Sequence, residues 1–311
     1  MILLWGLPGD RPLIAVHTML QRLGYPVVLL DQRAVLRTEV ELCVGSSMEG
    51  TLRFRDQTIS LSAITAVYLR PYDSRCLPDI VLAGQDSQAW RHALEVEDIL
   101  MSWVELTPAL VVNRPTAMAL NSSKPYQSRL IRSLGFEIPD TLITTDPDAA
   151  LEFWKRHDTV IYKSVSGIRS IVSRLTTEHL ERLLDVTWCP TQFQEYIPGT
   201  DYRVHIVAKE VYTCKILSNA DDYRYATRQG GGTMIEPDTL PEEVANRCKM
   251  LVATMNLSVA GVDLRHSQND QWYCFEVNPS PGFSYFQQAT NQPIDEAIAR
   301  LLASGDGRNL R

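Results

Sequence analysis

The sequence has no basic run longer than two residues, no CxxC pair and no stretch approaching the ~18 apolar residues needed to span a bilayer. Without a concentrated cationic surface, neither duplex nucleic acid nor an anionic membrane is expected as a partner. The chain carries 30 Lys and Arg against 37 Asp and Glu, a formal charge of −7. Its six cysteines, Cys43, Cys76, Cys189, Cys214, Cys248 and Cys274, lie far apart, as dispersed thiols do in a reducing compartment, so a cytoplasmic location is expected. The apolar start Met1 to Gly6 lacks a cationic n-region and reads as a first strand rather than a signal peptide. Gly6-Leu7-Pro8-Gly9-Asp10 lacks the GxGxxG and Gly-Lys-Ser/Thr patterns of phosphate loops and reads as a strand-to-helix turn. No Ser-His-Asp or Cys-His set stands out as a nucleophile. What is present, 311 residues with 45% hydrophobic and 22% charged, excludes disorder, collagen and coiled coil as the main architecture and suits two or three globular domains.

Hydrophobic patterning divides the chain into three units, 1–112, 113–191 and 192–311. In the first, Ile2–Trp5, a helix over Pro12–Leu23 stopped by Gly24, and Val27–Leu30 make a β-α-β pattern. Ala63–Leu69 reads as a further strand and a long helix runs through Trp103. The second unit opens at Asn113-Arg114-Pro115 and carries helices over Lys124–Leu134, from the Asp146-Pro147 cap through Arg156, and over Thr177–Leu184. Its strands are Val160–Lys163 and Ile171–Arg174. The third alternates through Gln192–Ile197, Asp201–Val207 and Val211–Ile216, then continues with a helix containing Val244, Cys248 and Leu251, a strand pair Val259–Leu264 and Trp272–Val277, and a last helix over Pro293–Leu302.

The residues that carry chemistry cluster late in the chain. Asp263 lies in Gly261-Val262-Asp263-Leu264-Arg265, and Glu276 and Asn278 in Phe275-Glu276-Val277-Asn278-Pro279. Residues two apart on a strand share a face, so Glu276 and Asn278 point one way while Phe275 and Val277 point into the core. Antiparallel pairing brings Asp263 beside them. Two carboxylates and an amide oxygen form an all-oxygen site suited to Mg²⁺ that also takes phosphate oxygens, with solvated strand-end polar groups as the plainer alternative. Lys163 ends an apolar strand before the small-residue loop Ser164-Val165-Ser166-Gly167, where backbone N–H groups can approach phosphates. Lys124 opens a helix, where a cation opposes the macrodipole unless an anion sits nearby. Between them, Asp201, Arg203 and His205 share one strand face, and the apolar run before them offers backbone donors and acceptors to a flat base.

Taken in order, Lys124, Lys163, Gln194-Glu195-Tyr196-Ile197, Asp201-Tyr202-Arg203, Asp263, Glu276 and Asn278 resemble the ATP-grasp superfamily. Within it they are most similar to the RimK-like ligases and the graspetide synthetases that modify ribosomal peptides, over residues 110–303. The resemblance implies an α/β (α+β) ATP-grasp fold, with an N-terminal pre-ATP-grasp α/β domain and the ATP site between two β-rich lobes. It implies that Lys124 and Lys163 contact ATP phosphates, Lys163 also near the adenine. Glu195 and Ile197, in the connection that includes Gln194 and Tyr196, would hydrogen-bond the adenine edge through their main chain, and Asp201 would lie near the ribose. Asp263, Glu276 and Asn278 would bind two Mg²⁺ ions, with Mn²⁺ as an alternative metal and Glu276 bridging. Arg224 falls where the family places an arginine beside the phosphates, although the Ser-Asn that follows there is Tyr225-Ala226 here. Arg228, before Gly230-Gly231-Gly232, resembles the family's Arg-Gly-Gly turn.

The implied activity is ADP-forming carboxylate–amine ligation. The carboxylate would take the γ-phosphoryl group to become an acylphosphate, which an amine or hydroxyl then displaces. Arg203, Arg224 and Arg265 are the candidates to stabilise the developing charge, and Arg203 and Arg265 also to clamp the substrate carboxylate. His205 reads as structural first and as a base for the amine second. The partners expected are a carboxylate-bearing small molecule or peptide and an amine or hydroxyl acceptor, with a homodimer left open. The alternatives are a maturase making side-chain ester or amide cross-links in a precursor peptide, with its groove near 219–232, and a small-molecule kinase or inert nucleotide-binding module on the same fold. Val67–Tyr72, outside the resemblance, reads either as a strand with a proline turn or as part of acceptor recognition.

Overall fold

The computed structural model describes residues 1–45, 48–165, 172–218 and 232–305. Arg224, Arg228 and almost all of the 219–232 stretch fall outside the described residues. The chain opens with β1 (Ile2–Gly6), α1 (Arg11–Arg22) and β2 (Val27–Asp31). Asp10 caps α1 by accepting from the Leu13 N–H, and Leu13, Val16 and Leu20, spaced three and four apart, are buried on one face. An antiparallel meander of β3 (Thr38–Val44), β4 (Met48–Phe54) and β5 (Gln57–Ser60), not anticipated from the sequence, precedes β6 (Ala66–Arg70). After α2 (Pro78–Ala83) and α3 (Gln88–Leu106), β7 (Leu110–Val112) completes a parallel sheet in the order β2-β1-β6-β7.

Helices α4 (Pro115–Ala119) and α5 (Lys124–Ser133) lead into β8 (Thr141–Thr144), α6 (Pro147–Arg156), β9 (Val160–Ser164), β10 (Ser173–Arg174) and β11 (Thr191–Glu195). The four strands form a sheet in the order β10-β9-β11-β8. Asp146 caps α6 as its sequence predicts, and Ala150 and Phe153 of that helix pack on Val160 and Phe193. The helix expected over Thr177–Leu184 is absent. Two 3-10 segments, Thr177–His179 and Leu183–Thr187, stand in its place. Helices depend on burying a face, and here Leu180 and Leu184 are exposed while only Leu183 and Val186 reach the core.

The last unit is a five-stranded antiparallel sheet, ordered β14-β13-β12-β15-β16, of β12 (Gly199–Val207), β13 (Glu210–Ser218), β14 (Thr233–Asp238), β15 (Val259–Ser267) and β16 (Trp272–Asn278). Helix α7 (Glu242–Thr254) covers one face, packing Val244, Cys248, Leu251 and Val252 on Val204, Ile206, Val262 and Val277. Helices α8 (Ser284–Thr290) and α9 (Ile294–Ser304) follow. Ile294, Ile298 and Leu302 of α9 pack against Ile2, Leu4, Leu13 and Tyr68, so the C-terminal helix closes onto the N-terminal sheet. No helix among the described residues is long and apolar enough to cross a membrane.

Candidate active site

Because Val204, Val262 and Val277 face α7, their neighbours along each strand point to the opposite face of the sheet. Pairing across three strands sets Arg203 opposite Asp263 and Asp263 opposite Glu276, while Gly261 pairs with His205 on one side and Asn278 on the other. The proposed metal ligands thus come together in adjacent positions of one sheet face. Arg203 Nη1 donates to Asp263 Oδ1 at 2.6 Å, and its Nε donates to His205 Nε2 at 3.4 Å. Gly261 makes this possible: a Cβ there would lie 2.3 Å from Arg203 Nη2. His205 is fully buried, and burial together with Arg203 pushes its pKa well below the ordinary value. Its Nε2 accepts, so the neutral ring carries its proton on Nδ1, which is buried with no partner among the described residues. An imidazole so enclosed cannot reach an acceptor amine, which leaves the structural reading of His205.

Three cations converge on Glu276. Lys124 Nζ donates to Glu276 Oε2 at 3.0 Å and to Asn121 Oδ1 at 2.8 Å. Burial alone would raise the Glu276 pKa, but Lys124, by charge and hydrogen bond, and then Lys163 and Arg203 by charge, hold it below the ordinary value. Glu276 is therefore the anion that the first-turn position of Lys124 calls for. Helix α5 is fixed to β16 one turn further on, where buried Gln127 donates to the Val277 carbonyl and accepts from the Val277 N–H, both at 2.9 Å. Nothing in the sequence pattern singles out Gln127. It is a polar residue on a helical face that would otherwise be apolar.

A second cluster joins the central sheet to this face. Lys163 pairs with Gln192, and Ile161 with Gln194, so Lys163 and Gln194 share a face while Tyr162 and Phe193 pack in the core of the central sheet. Gln194 Nε2 donates to Thr141 Oγ1 at 2.9 Å, and the Glu195 N–H is bonded to the Asp140 carbonyl. Arg265 grips Asp201 through two bonds of 2.6 and 2.9 Å and donates to the Ile197 carbonyl at 2.8 Å. Tyr196 lies between two guanidinium groups, Arg174 at 4.4 Å and Arg265 at 5.5 Å from its ring. A β-bulge between Asp263 and Leu264 sets Leu264 opposite Cys274, and Phe275 is the extra residue. Phe275 is accordingly half-buried with its ring 5.2 Å from Arg265, not in the core as strict alternation predicts.

Asn278 continues the face of Glu276, its Oδ1 accepting from the Ser280 N–H at 3.0 Å. Two carboxylates and a carboxamide, all oxygen donors, with the carboxylates already matched by the cations of Lys124 and Arg203, fit a hard divalent ion. Arg224 lies outside the described residues.

Comparison with known proteins identifies the family. Residues 122–302 match the model of the RimK-like ATP-grasp domain. A probable alpha-L-glutamate ligase of Vibrio vulnificus (strain YJ016) is 24% identical over 209 residues, covering 64% of this chain and 68% of that protein. The macrocyclase MdnC of Microcystis aeruginosa MRC, solved bound with the precursor peptide MdnA, superposes with a TM-score of 0.82 at 23% identity, covering 97% of this chain and 98% of that one. The ATP-grasp ligase PsnB, solved with a minimal precursor, Mg and ADP, gives a TM-score of 0.79 at 26% identity over 98% and 96% of the two chains. The domain match spans more than half of the sequence, and the chain belongs to the RimK-like ATP-grasp family.

Proposed function

We propose that this ATP-grasp ligase joins a carboxylate to an amine with ADP and phosphate as the other products, using the face of β12, β15 and β16 as its phosphate and metal site. The observation that carries the reading is the convergence of Lys124, Lys163 and Arg203 on Glu276, beside Asp263. ATP-grasp ligases use ATP and Mg²⁺, and here Asp263, Glu276 and Asn278 are assigned to hold two ions. The bound ions would screen the phosphate oxygens and favour charge on the transferring phosphoryl group.

The chain's own residues have separate assignments. Lys124 and Lys163 take the phosphates, and the Glu195 and Ile197 main chain takes the adenine edge. Gln194 and Tyr196 hold that connection in place, with Phe275 offering an aromatic wall. Asp201 borders the ribose. Arg203 sits on a metal carboxylate and is placed to stabilise charge near the reacting oxygens. Arg265, committed to Asp201 and the Ile197 carbonyl, supports the connection and is not left as a carboxylate clamp. No residue is needed as a nucleophile, since the acylphosphate is itself the activated acyl group.

The peptide-modifying variant of this chemistry is favoured by one observation. Leu180, Leu184 and Trp188, four residues apart beside the central sheet, are 44, 70 and 89% exposed. These large exposed apolar side chains suit an apolar segment of a peptide substrate. MdnC and PsnB are both known with precursor peptides, which supports the same reading.

The test is ADP release measured against pools of carboxylates and amines and against short peptides encoded beside the gene, with mass analysis of products. A ligase gives free phosphate and a product lighter by one water than its reactants, whereas a kinase gives a stable phosphoester. Glu276→Ala is expected to reduce ADP formation by about 10²-fold or more, with the thermal midpoint within about 4 °C of wild type. Retained turnover in that variant would overturn the metal assignment.

A further inference from the structure

The loop that follows Asn278 is held from the opposite end of the chain. Arg70, the last residue of β6, donates through Nη1 to Ser280 Oγ at 3.0 Å and to the Pro281 carbonyl at 3.2 Å, contacts that span more than 200 positions of sequence. The other edge of the same guanidinium grips Asp10, with Nε 2.8 Å from Oδ1 and Nη2 3.1 Å from Oδ2. Asp10 is itself fixed, because its Oδ1 caps α1 at the Leu13 N–H, 2.8 Å away. The Arg70 side chain is only 10% exposed. It is therefore not available to clamp an incoming acceptor, and the acceptor reading of Val67–Tyr72 does not extend to it.

What Arg70 holds is one step from the metal asparagine. Ser280 takes Arg70 on its side-chain oxygen and donates its own N–H to Asn278 Oδ1. That oxygen has two acceptor directions. With one occupied by the Ser280 N–H, the carboxamide is fixed in rotation and the other direction is set. Buried Asn113 pins the intervening residue, donating to the Pro279 carbonyl at 2.6 Å. The path from Asp10 through Arg70 and Ser280 to Asn278 is thus unbroken, and each member has its geometry fixed by a charged or backbone partner.

From this path we infer that Arg70 is a positioning residue for the divalent-metal site, orienting the Asn278 carboxamide from the N-terminal domain. The inference rests on the assignment of Asn278 as a ligand made above. A lysine in its place would keep the charge but lose the planar fork that holds Asp10 and the loop together. Partners one step behind a metal ligand typically govern metal affinity by about 10- to 100-fold.

The experiment is direct binding of ADP to the full-length protein, by calorimetry, with and without Mg²⁺. Wild type is expected to bind ADP more tightly with Mg²⁺. In Arg70→Lys, metal-free affinity should stay at the wild-type level while the Mg²⁺-dependent gain falls by about 10-fold or more and higher Mg²⁺ restores it. Ser280→Ala removes the Oγ that accepts from Arg70 and leaves the Arg70–Asp10 pair in place. It should lose part of the same gain, and it decides the matter if Arg70→Lys does not fold. A full Mg²⁺-dependent gain in Arg70→Lys, or in Ser280→Ala when the lysine variant is unfolded, overturns the inference alone. A wild-type protein with no such gain overturns the metal site itself and the inference with it. Equal losses with and without Mg²⁺ overturn it as well, since they indicate general loosening of the fold.

Discussion

Lys124 and His205 are residues whose surroundings contradict their ordinary preferences, and each contradiction has a local answer. A lysine in the first turn of α5 is unfavourable until Glu276 is placed 3.0 Å away. A histidine at 0% exposure is costly to protonate, and the guanidinium of Arg203 beside it adds repulsion. The pKa of His205 in the folded protein is thus well below 6.5, while in the unfolded chain it is near 6.5. Below that pH the unfolded chain binds the extra proton, so folding stability is complete above about pH 6.5 and declines as pH falls. One such group contributes a slope of up to about 1.4 kcal/mol per pH unit. His205→Gln keeps an acceptor for Arg203 but cannot titrate. Denaturant unfolding between pH 7.5 and 5.0 should give a flatter stability profile for this variant than for wild type. Parallel profiles would show that His205 is not the group responsible.

At the scale of elements, the pairing of α5 with β16 decides whether Lys124 reaches Glu276. Gln127 makes both bonds to Val277 and is 1% exposed, so Gln127→Met leaves a buried N–H and a buried carbonyl unpaired, at about 1–3 kcal/mol each. Stability should drop by that amount and the KM for ATP should rise with it. Unchanged ATP affinity in the destabilised protein would show that α5 keeps its position without this pair. Elements with strong local signals were readable in the sequence, such as α1 behind Asp10, α6 behind Asp146-Pro147, and the strand carrying Glu276 and Asn278. The meander over 38–60 was missed although Thr38-Glu39-Val40-Glu41-Leu42 alternates, because its buried apolar residues are only Leu52, Phe54 and Ile59, which leaves each strand a thin apolar face. The helix expected over Thr177–Leu184 does not form, because Leu180 and Leu184 stay exposed and too little of the segment is buried to hold a helix. The order of the site residues could be read directly. So could the meeting of Asp263 with Glu276 and Asn278 across an antiparallel pair, whereas the contacts of Lys124 and Arg203 with those carboxylates and the bulge that moves Phe275 out of the core could not.

Across the whole molecule, the strands that carry the site also tie the two ends of the chain together. Val207 of β12 and Val259 of β15 pack with the N-terminal sheet and α9, while Val204, Ile206 and Val262 of the same strands pack under α7. Asn113 strengthens the junction, donating to the Val259 carbonyl at 2.7 Å and accepting from the Ser258 N–H at 2.7 Å. The central sheet instead has a core of its own around Phe153, Val160 and Phe193. The N-terminal sheet and the C-terminal sheet should therefore open as one cooperative unit, with the central sheet opening at lower free energy. The cysteines report on this. Cys43, Cys76 and Cys189 are exposed, whereas Cys214, Cys248 and Cys274 are buried in the C-terminal unit. Burial pushes the Cys214 thiol up to about 11 and that of Cys248 to about 12, and raises that of Cys274 well above its ordinary value, so all three lack thiolate as well as access. In a time course with a thiol reagent, the three exposed cysteines should label at once. The buried three should label together, at the rate at which the amides of β1 and β6 lose hydrogen-exchange protection. Labelling of Cys274 while β1 stays protected would mean that the two sheets unfold separately, and that the junction through Asn113 and α9 does not couple them.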